Sequence, residues 1–190
     1  MMPKSQSILY VTSNKHKFNE AQIILAAAGV LIEQYPHRPR EIQSDSLNEI
    51  AQHDCEQVRQ EVKHPIIVED AGMFINHLKG FPGPYSSYVL RTIGNQGILK
   101  LMKNVDNRSA VFRSAVAYGT PNHPSIVFLG ETHGQISQKA RGIHWGFDPI
   151  FIPEEGDGST YAEMKEEEKN RLSHRSKALA KLVEWLKNKE

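Results

Sequence analysis

Ile66-Ile67-Val68 constrains this chain more than any other segment. It opens directly after Pro65, is wholly apolar, and runs straight into Glu69-Asp70. Strands of this composition are buried on both faces and lie in the middle of a sheet. In open α/β sheets ligands gather at the carboxyl ends of such strands, so the pattern predicts Glu69 and Asp70 at the strand's end, beside a ligand.

The rest of the chain supplies what a central strand needs. Ile8 to Val11 reads as a second strand, followed by the turn-prone Thr12 to Asn14 and by Phe18, Ala21, Leu25 and Ala28 at helical spacing, with Gly29 closing the helix. Val30 to Glu33 starts another strand. Ser46 and Glu49 have capping-box spacing ahead of an apolar helix face formed by Leu47, Ile50, Ala51, Cys55, Val58 and Val62. Gly80, Pro82, Gly83 and Pro84 make Lys79 to Tyr88 a turn-rich loop, and Gly97 to Met102 reads as helix. Alternation predicts antiparallel strands over Ala110 to Tyr118, Ser125 to Leu129 and Glu131 to Ser137, with a short strand at Ile150 to Ile152. Thr160 and Glu163 repeat the capping spacing before a last helix whose inner face carries Leu172, Leu179, Leu182, Val183 and Leu186. The expected fold is α/β, a central mixed sheet flanked by helices. The 190 residues, without repeat or linker, form one domain in this reading.

Charge narrows the function classes. Lys and Arg total 23 against 22 Asp and Glu, so nothing draws the whole molecule to nucleic acid or to a membrane, and phosphate binding has to be local. One cysteine, Cys55, rules out an intrachain disulfide and fits a reducing compartment. With no apolar run of membrane-spanning length and no signal-like N-terminus, the expected location is the cytoplasm.

Four short blocks carry chemistry. Thr12-Ser13-Asn14-Lys15-His16-Lys17 links a strand to a helix start, where backbone N–H groups and the positive helix end favour phosphate, with Asn14 and Lys17 as side-chain donors. It has neither glycine of a Walker A loop, and by itself it equally fits a capped helix start. Glu69-Asp70 can hold a hard divalent cation through one carboxylate and activate water through the other, or simply begin a turn. Glu41 and Asp45, between Pro39 and the Ser46 cap, are candidates for a further carboxylate at the metal, Asp45 fitting a helix cap equally. Trp145-Gly146-Phe147-Asp148 offers two rings to stack a purine and an acid for its edge, or two rings that close the core. Lys169, His174 and Arg175, with Ser173, suit a base carbonyl and phosphate oxygens, and favour a 6-oxo over a 6-amino purine because they donate; as a solvated basic stretch they would balance the preceding acids. Cys55 falls on an apolar helix face, and His133 and His144 lack metal-ligand spacing.

In this order the blocks resemble the inosine triphosphate pyrophosphatase family, also called Ham1-like proteins. The resemblance runs from about Ile8 to Leu186 and includes Gly80-Phe81-Pro82-Gly83-Pro84-Tyr85-Ser86 and Glu168-Lys169-Asn170. It implies Mg2+-dependent hydrolysis of ITP, dITP and XTP to the monophosphate and pyrophosphate, in a homodimer. It also implies an elongated central mixed sheet with two lobes and a cleft. Thr12 to Lys17 would bind triphosphate, Glu41 and Asp70 would bind Mg2+, and Asp70 would be the general base. Ala71, Trp145 to Asp148, Lys169, His174 and Arg175 would complete the substrate contacts. Three departures stand out. Ala71 replaces a frequent serine, Trp145 and Phe147 exchange the usual ring sizes, and Asp54 occupies the position nearest a common lysine. The alternatives are a pyrophosphatase for other modified nucleotides and a nucleotide-binding regulator without turnover.

Overall fold

A computed structural model describes residues 7–189 apart from Arg38 and Glu41. The chain forms two compact units, each assembled from separated stretches. The first comprises the described residues up to Asp70, Ser114–Gly130, and the described residues from Arg175 onward; the second comprises Ala71–Arg113 and Glu131–His174.

Strand β1 (Ile8–Val11) leads through the Thr12–Asn14 turn into helix α1 (Lys15–Ala27), then β2 (Ile32–Tyr35) and α2 (Leu47–Glu61). The Asn14 side chain caps α1, accepting from the His16 and Lys17 amides, and Ser46 caps α2 by accepting from the Glu49 amide. Gly29, at φ +79°, turns the chain out of α1, where a β-carbon would be strained. Strand β3 runs Ile66–Ile75, and the sheet order β2-β1-β3-β5-β6-β7 places it inside, as its composition requires. β1 pairs parallel with β2 and with β3.

In the second unit, β4 (Pro82–Gly83) pairs antiparallel with β3 and is followed by α3 (Ser86–Thr92) and α4 (Gly94–Leu101). Along the chain follow β5 (Ser109–Thr120) and β6 (His123–Ile136), whose residues are divided between the two units, and β7 (Phe151–Pro153) of the second, antiparallel to β6. Parallel and antiparallel pairs together make the expected mixed open sheet, flanked by helices.

Three expectations change. Glu69 and Asp70 do not end their strand. β3 continues through Ala71 and Gly72 to Ile75, because Gly72 lets the Pro82–Gly83 segment lie directly on it and pair at Met73 and Phe74. The two strands expected on either side of Gly130 are one, β6, since Gly130 keeps an extended backbone. The last helix is two, α5 (Glu166–Leu172) and α6 (His174–Lys187), broken at the extended Ser173. The Thr160–Glu163 box does form, the Thr160 amide donating to the Glu163 carboxylate at 2.8 Å, but it closes a turn ahead of α5.

Each unit has its own core. Tyr10, Leu25, Ile67, Val116, Leu179 and Leu182 centre the first; Met73, Ile98, Phe112, Ile136, Phe147 and Phe151 centre the second. No helix among the described residues is long and apolar enough to cross a membrane.

Candidate active site

The pleat of β3 decides what its two acids can do. Successive side chains leave a strand on opposite faces, so Glu69 and Asp70 diverge. Glu69 shares the face of Ile67 and Tyr10 and is buried. Its Oε2 accepts from the Tyr10 hydroxyl and from Arg175 Nε at 2.9 Å, and its Oε1 accepts from the Ser114 hydroxyl at 2.8 Å. Arg175 Nη1 also donates to Glu20 of α1. Burial by itself would raise the Glu69 carboxyl, but the Arg175 guanidinium and then the Lys17 ammonium outweigh it and hold the group well below the usual carboxylate range. Both Glu69 oxygens are thus committed inside the protein. The expectation that Glu69 and Asp70 act jointly on one cation and its water is corrected accordingly.

Asp70, on the other face, is half-buried, as is Ala71. Beside it, Lys17 Nζ donates to the Glu69 carbonyl at 3.2 Å, which brings the α1 ammonium onto the peptide that precedes Asp70. The Thr12–Lys17 turn is ordered from within. Thr12 Oγ1 accepts from the Asn14 amide at 3.1 Å, and Asn14 Oδ1 accepts from the His16 and Lys17 amides at 2.9 and 3.2 Å. The cap therefore uses two of the amides expected to cradle phosphate, and Asn14 keeps only its Nδ2 as a side-chain donor. Ser13, Lys15 and His16 are exposed around this turn.

The chemistry of this donor set fits magnesium. That ion is held by one or two carboxylates with water and substrate phosphate completing its shell, and Asp70 supplies a hard oxygen on the residue that follows the peptide bonded by Lys17. Glu41, the expected second carboxylate, lies outside the described residues; among those described, no cluster of three or more His, Cys, Asp or Glu could hold a metal. Asp45 is exposed, and Ser46 rather than Asp45 caps α2.

In the second unit Asp148 is the centre. It is buried, and its Oδ2 accepts from Lys169 Nζ at 2.6 Å and pairs with His144 Nδ1. The Lys169 ammonium also lies 5.2 Å from the centroid of the Trp145 ring. Trp145 is half-buried, whereas Phe147, 2% exposed, belongs to the hydrophobic core. The expectation of two stacking rings reduces to one. Gly146, between them at φ +68°, permits this reversal of direction. His174, 6% exposed, stacks on Phe112 with ring centroids 4.6 Å apart and planes 9° from parallel.

Arg175 departs most from expectation. It sits in the first unit, 1% exposed, as the cation between Glu20 and Glu69. Its guanidinium is not an open donor for a base edge; any such contact has to be shared with two carboxylates. Spacing could not reveal this, because the partners lie 106 and 155 residues away. His144, set aside for want of metal spacing, meets Asp148 one turn further along the loop; the i, i+4 interval was the available signal. Asp54, where a phosphate-binding lysine was missed, is buried on α2 with His53 Nδ1 at 3.3 Å. Cys55 is inert, its thiol pushed up to about 12 by burial.

Similarity to known proteins places the chain. The Ham1 family profile matches residues 8–185. A dITP/XTP pyrophosphatase of Methanopyrus kandleri is 48% identical over 182 residues, covering 95% of this chain and 96% of its own. One of Pyrococcus horikoshii is 46% identical over 181 residues, with 95% and 96% covered. The solved structure of a HAM1 protein from Coxiella burnetii superposes with a TM-score of 0.82 at 26% identity, covering 96% of this chain and all of that one. With the mixed sheet, the Thr12–Lys17 turn and the Asp148–Lys169 pair in place, the chain belongs to the Ham1 family.

Proposed function

We propose that this protein hydrolyses non-canonical purine nucleoside triphosphates, dITP, XTP and ITP, to the nucleoside monophosphate and pyrophosphate, and so removes deaminated purines from the nucleotide pool. One observation carries the reading. Asp70 is a half-buried carboxylate with the Lys17 ammonium on the peptide before it and the capped α1 terminus close in sequence, while its neighbour Glu69 is sequestered. The relatives' activity, at 48% and 46% identity, supports it.

In this reading the Thr12–Lys17 turn and Asp70 handle phosphate. Lys17, the Asn14 Nδ2 and the positive end of α1 offset the charge of the triphosphate. Asp70, with Glu41, would hold Mg2+, which would supply charge to shield the phosphate oxygens. Asp70 also takes the proton of the water that attacks the α-phosphorus, with pyrophosphate as the leaving group. Ala71 can contribute only its backbone.

Trp145, Lys169 and Asp148 handle the base. Trp145 stacks on the purine, Lys169 donates to the 6-oxo group, and Asp148 accepts the N1 proton. An adenine reverses both polarities and leaves a buried donor and acceptor mismatched, which rejects it by orders of magnitude. His174, flat on Phe112, walls this region. We further propose a homodimer, supported by the exposed Tyr85, Tyr88 and Ile93 of the second unit, and a cytoplasmic location, supported by a single cysteine kept as a free thiol.

Pyrophosphate release measured over dITP, XTP, ITP, ATP, GTP and dUTP, with Mg2+ and with chelator, tests the proposal. Turnover should favour the 6-oxo purine substrates over ATP and dUTP and should vanish on chelation. Equal rates on ATP and ITP would sink the base-selection argument.

A further inference from the structure

The base-side loop changes direction at Gly146. From Phe147 onward it is held by burial of that ring, by the Lys169–Asp148 pair, and by backbone bonds from Arg141 to Pro149 and from Ala162 to Asp148. Just ahead of that anchor stands Gly146 at φ +68°, where an added β-carbon would meet nothing within 4 Å. Sterics therefore do not hold this residue in place, and a glycine can turn its peptide planes cheaply.

A side chain from elsewhere restrains the turn directly. Asn95, in the first turn of α4, donates from Nδ2 to the Gly146 carbonyl at 3.1 Å. Its Oδ1 is buried without a hydrogen-bond partner. A buried unmet acceptor is unfavourable, so the amide is kept in spite of that half and for the sake of its donor. Fixing the Gly146 carbonyl fixes the Gly146–Phe147 peptide plane. Trp145 stands one peptide ahead of that plane, so holding it halves the freedom between the buried Phe147 and the Trp145 ring.

We propose that Asn95 is a positioning residue for substrate recognition: by bonding the Gly146 carbonyl it aims the Trp145 ring at the purine. This rests on the reading of Trp145 as the base-stacking group. No motif contains Asn95, and it lies 51 residues from its partner.

Asn95→Asp tests it, since the variant is isosteric and sets an oxygen against the Gly146 oxygen. Trp145 and Trp185 are the two tryptophans, so a Trp185→Phe background leaves Trp145 as sole reporter. Should that background not fold, fluorotryptophan resonances separate the two rings in the otherwise native chain. In the nucleotide-free protein, acrylamide quenching of Trp145 should rise in Asn95→Asp. With dITP, KM should rise about tenfold, the equivalent of one lost and one repulsive polar contact, while kcat stays within about twofold. Asn95→Gln, which keeps the carboxamide, should recover part of both effects. An unchanged KM overturns the proposal. So does a KM that moves only with thermal stability while Trp145 quenching stays native, which would make Asn95 a simple tie between α4 and the loop. If the wild type turned over no dITP, the function reading would fail, and Trp145 quenching would still decide whether Asn95 positions the ring.

Discussion

Arg175→Met removes the cation from between two buried carboxylates while leaving a long apolar stem in its place. Glu20 is 5% exposed, Glu69 9% and Arg175 1%, so water cannot take over the pairing. Removing one partner of a buried ion pair costs about 3–5 kcal/mol, most of it the uncompensated charge left behind. Tyr10 and Ser114 still donate to Glu69, which puts the expected loss near the low end, about 3 kcal/mol. For a chain of this size each kcal/mol moves Tm by about 2–4 °C, giving a fall of roughly 6–12 °C at pH 7.

The pH dependence of that deficit identifies its origin. In the wild type the folded-state Glu69 carboxyl is depressed, so its contribution is present above the unfolded value of about 4.3 and is lost as pH falls below it. In the variant, buried carboxylates without a cation are raised, so protonation relieves them as pH falls through the folded value towards that same point. The gap between the two proteins should therefore narrow from pH 7 to pH 4. Thermal melts followed by circular dichroism at both pH values measure it. A fall under about 3 °C, or an equal gap at both pH values, would refute the buried-pair reasoning.

Asp70→Asn should lower kcat at least about a hundredfold with Tm nearly native, because an amide neither takes the proton nor binds a hard cation well; more than a tenth of wild-type turnover would count against Asp70 as base. Trp145→Ala should raise KM for dITP roughly tenfold with kcat within about twofold, as expected for one lost ring-on-base stack, and an unchanged KM would remove Trp145 from the base site. Gly72→Ala should cost about 3 kcal/mol or more, since its β-carbon would fall 2.2 Å from the Gly83 carbonyl oxygen, backbone that cannot rotate away; a native melting curve would show that β4 yields.

Local physics made much of this protein legible from its residues. Ile66-Ile67-Val68 required an interior strand, Ser46 announced a helix start, and the four chemical blocks, taken in order, carried the resemblance to the Ham1 family. Each of these signals is read within a few residues, where backbone sterics, capping and apolar periodicity act. Direction and pairing over distance were beyond it. Whether β3 stops at Asp70 depended on Gly72 meeting Gly83, and the pleat then decided that Glu69 turns inward while Asp70 stays accessible. Arg175 looked like an open donor until Glu20 and Glu69 closed on it, Phe147 looked like a stacking ring until the core took it, and Asn95 had no mark at all. The physical reason is the same in each case. A buried charge or ring takes its role from whatever desolvates and pairs it, and those partners are brought together by tertiary packing, not by neighbours along the chain.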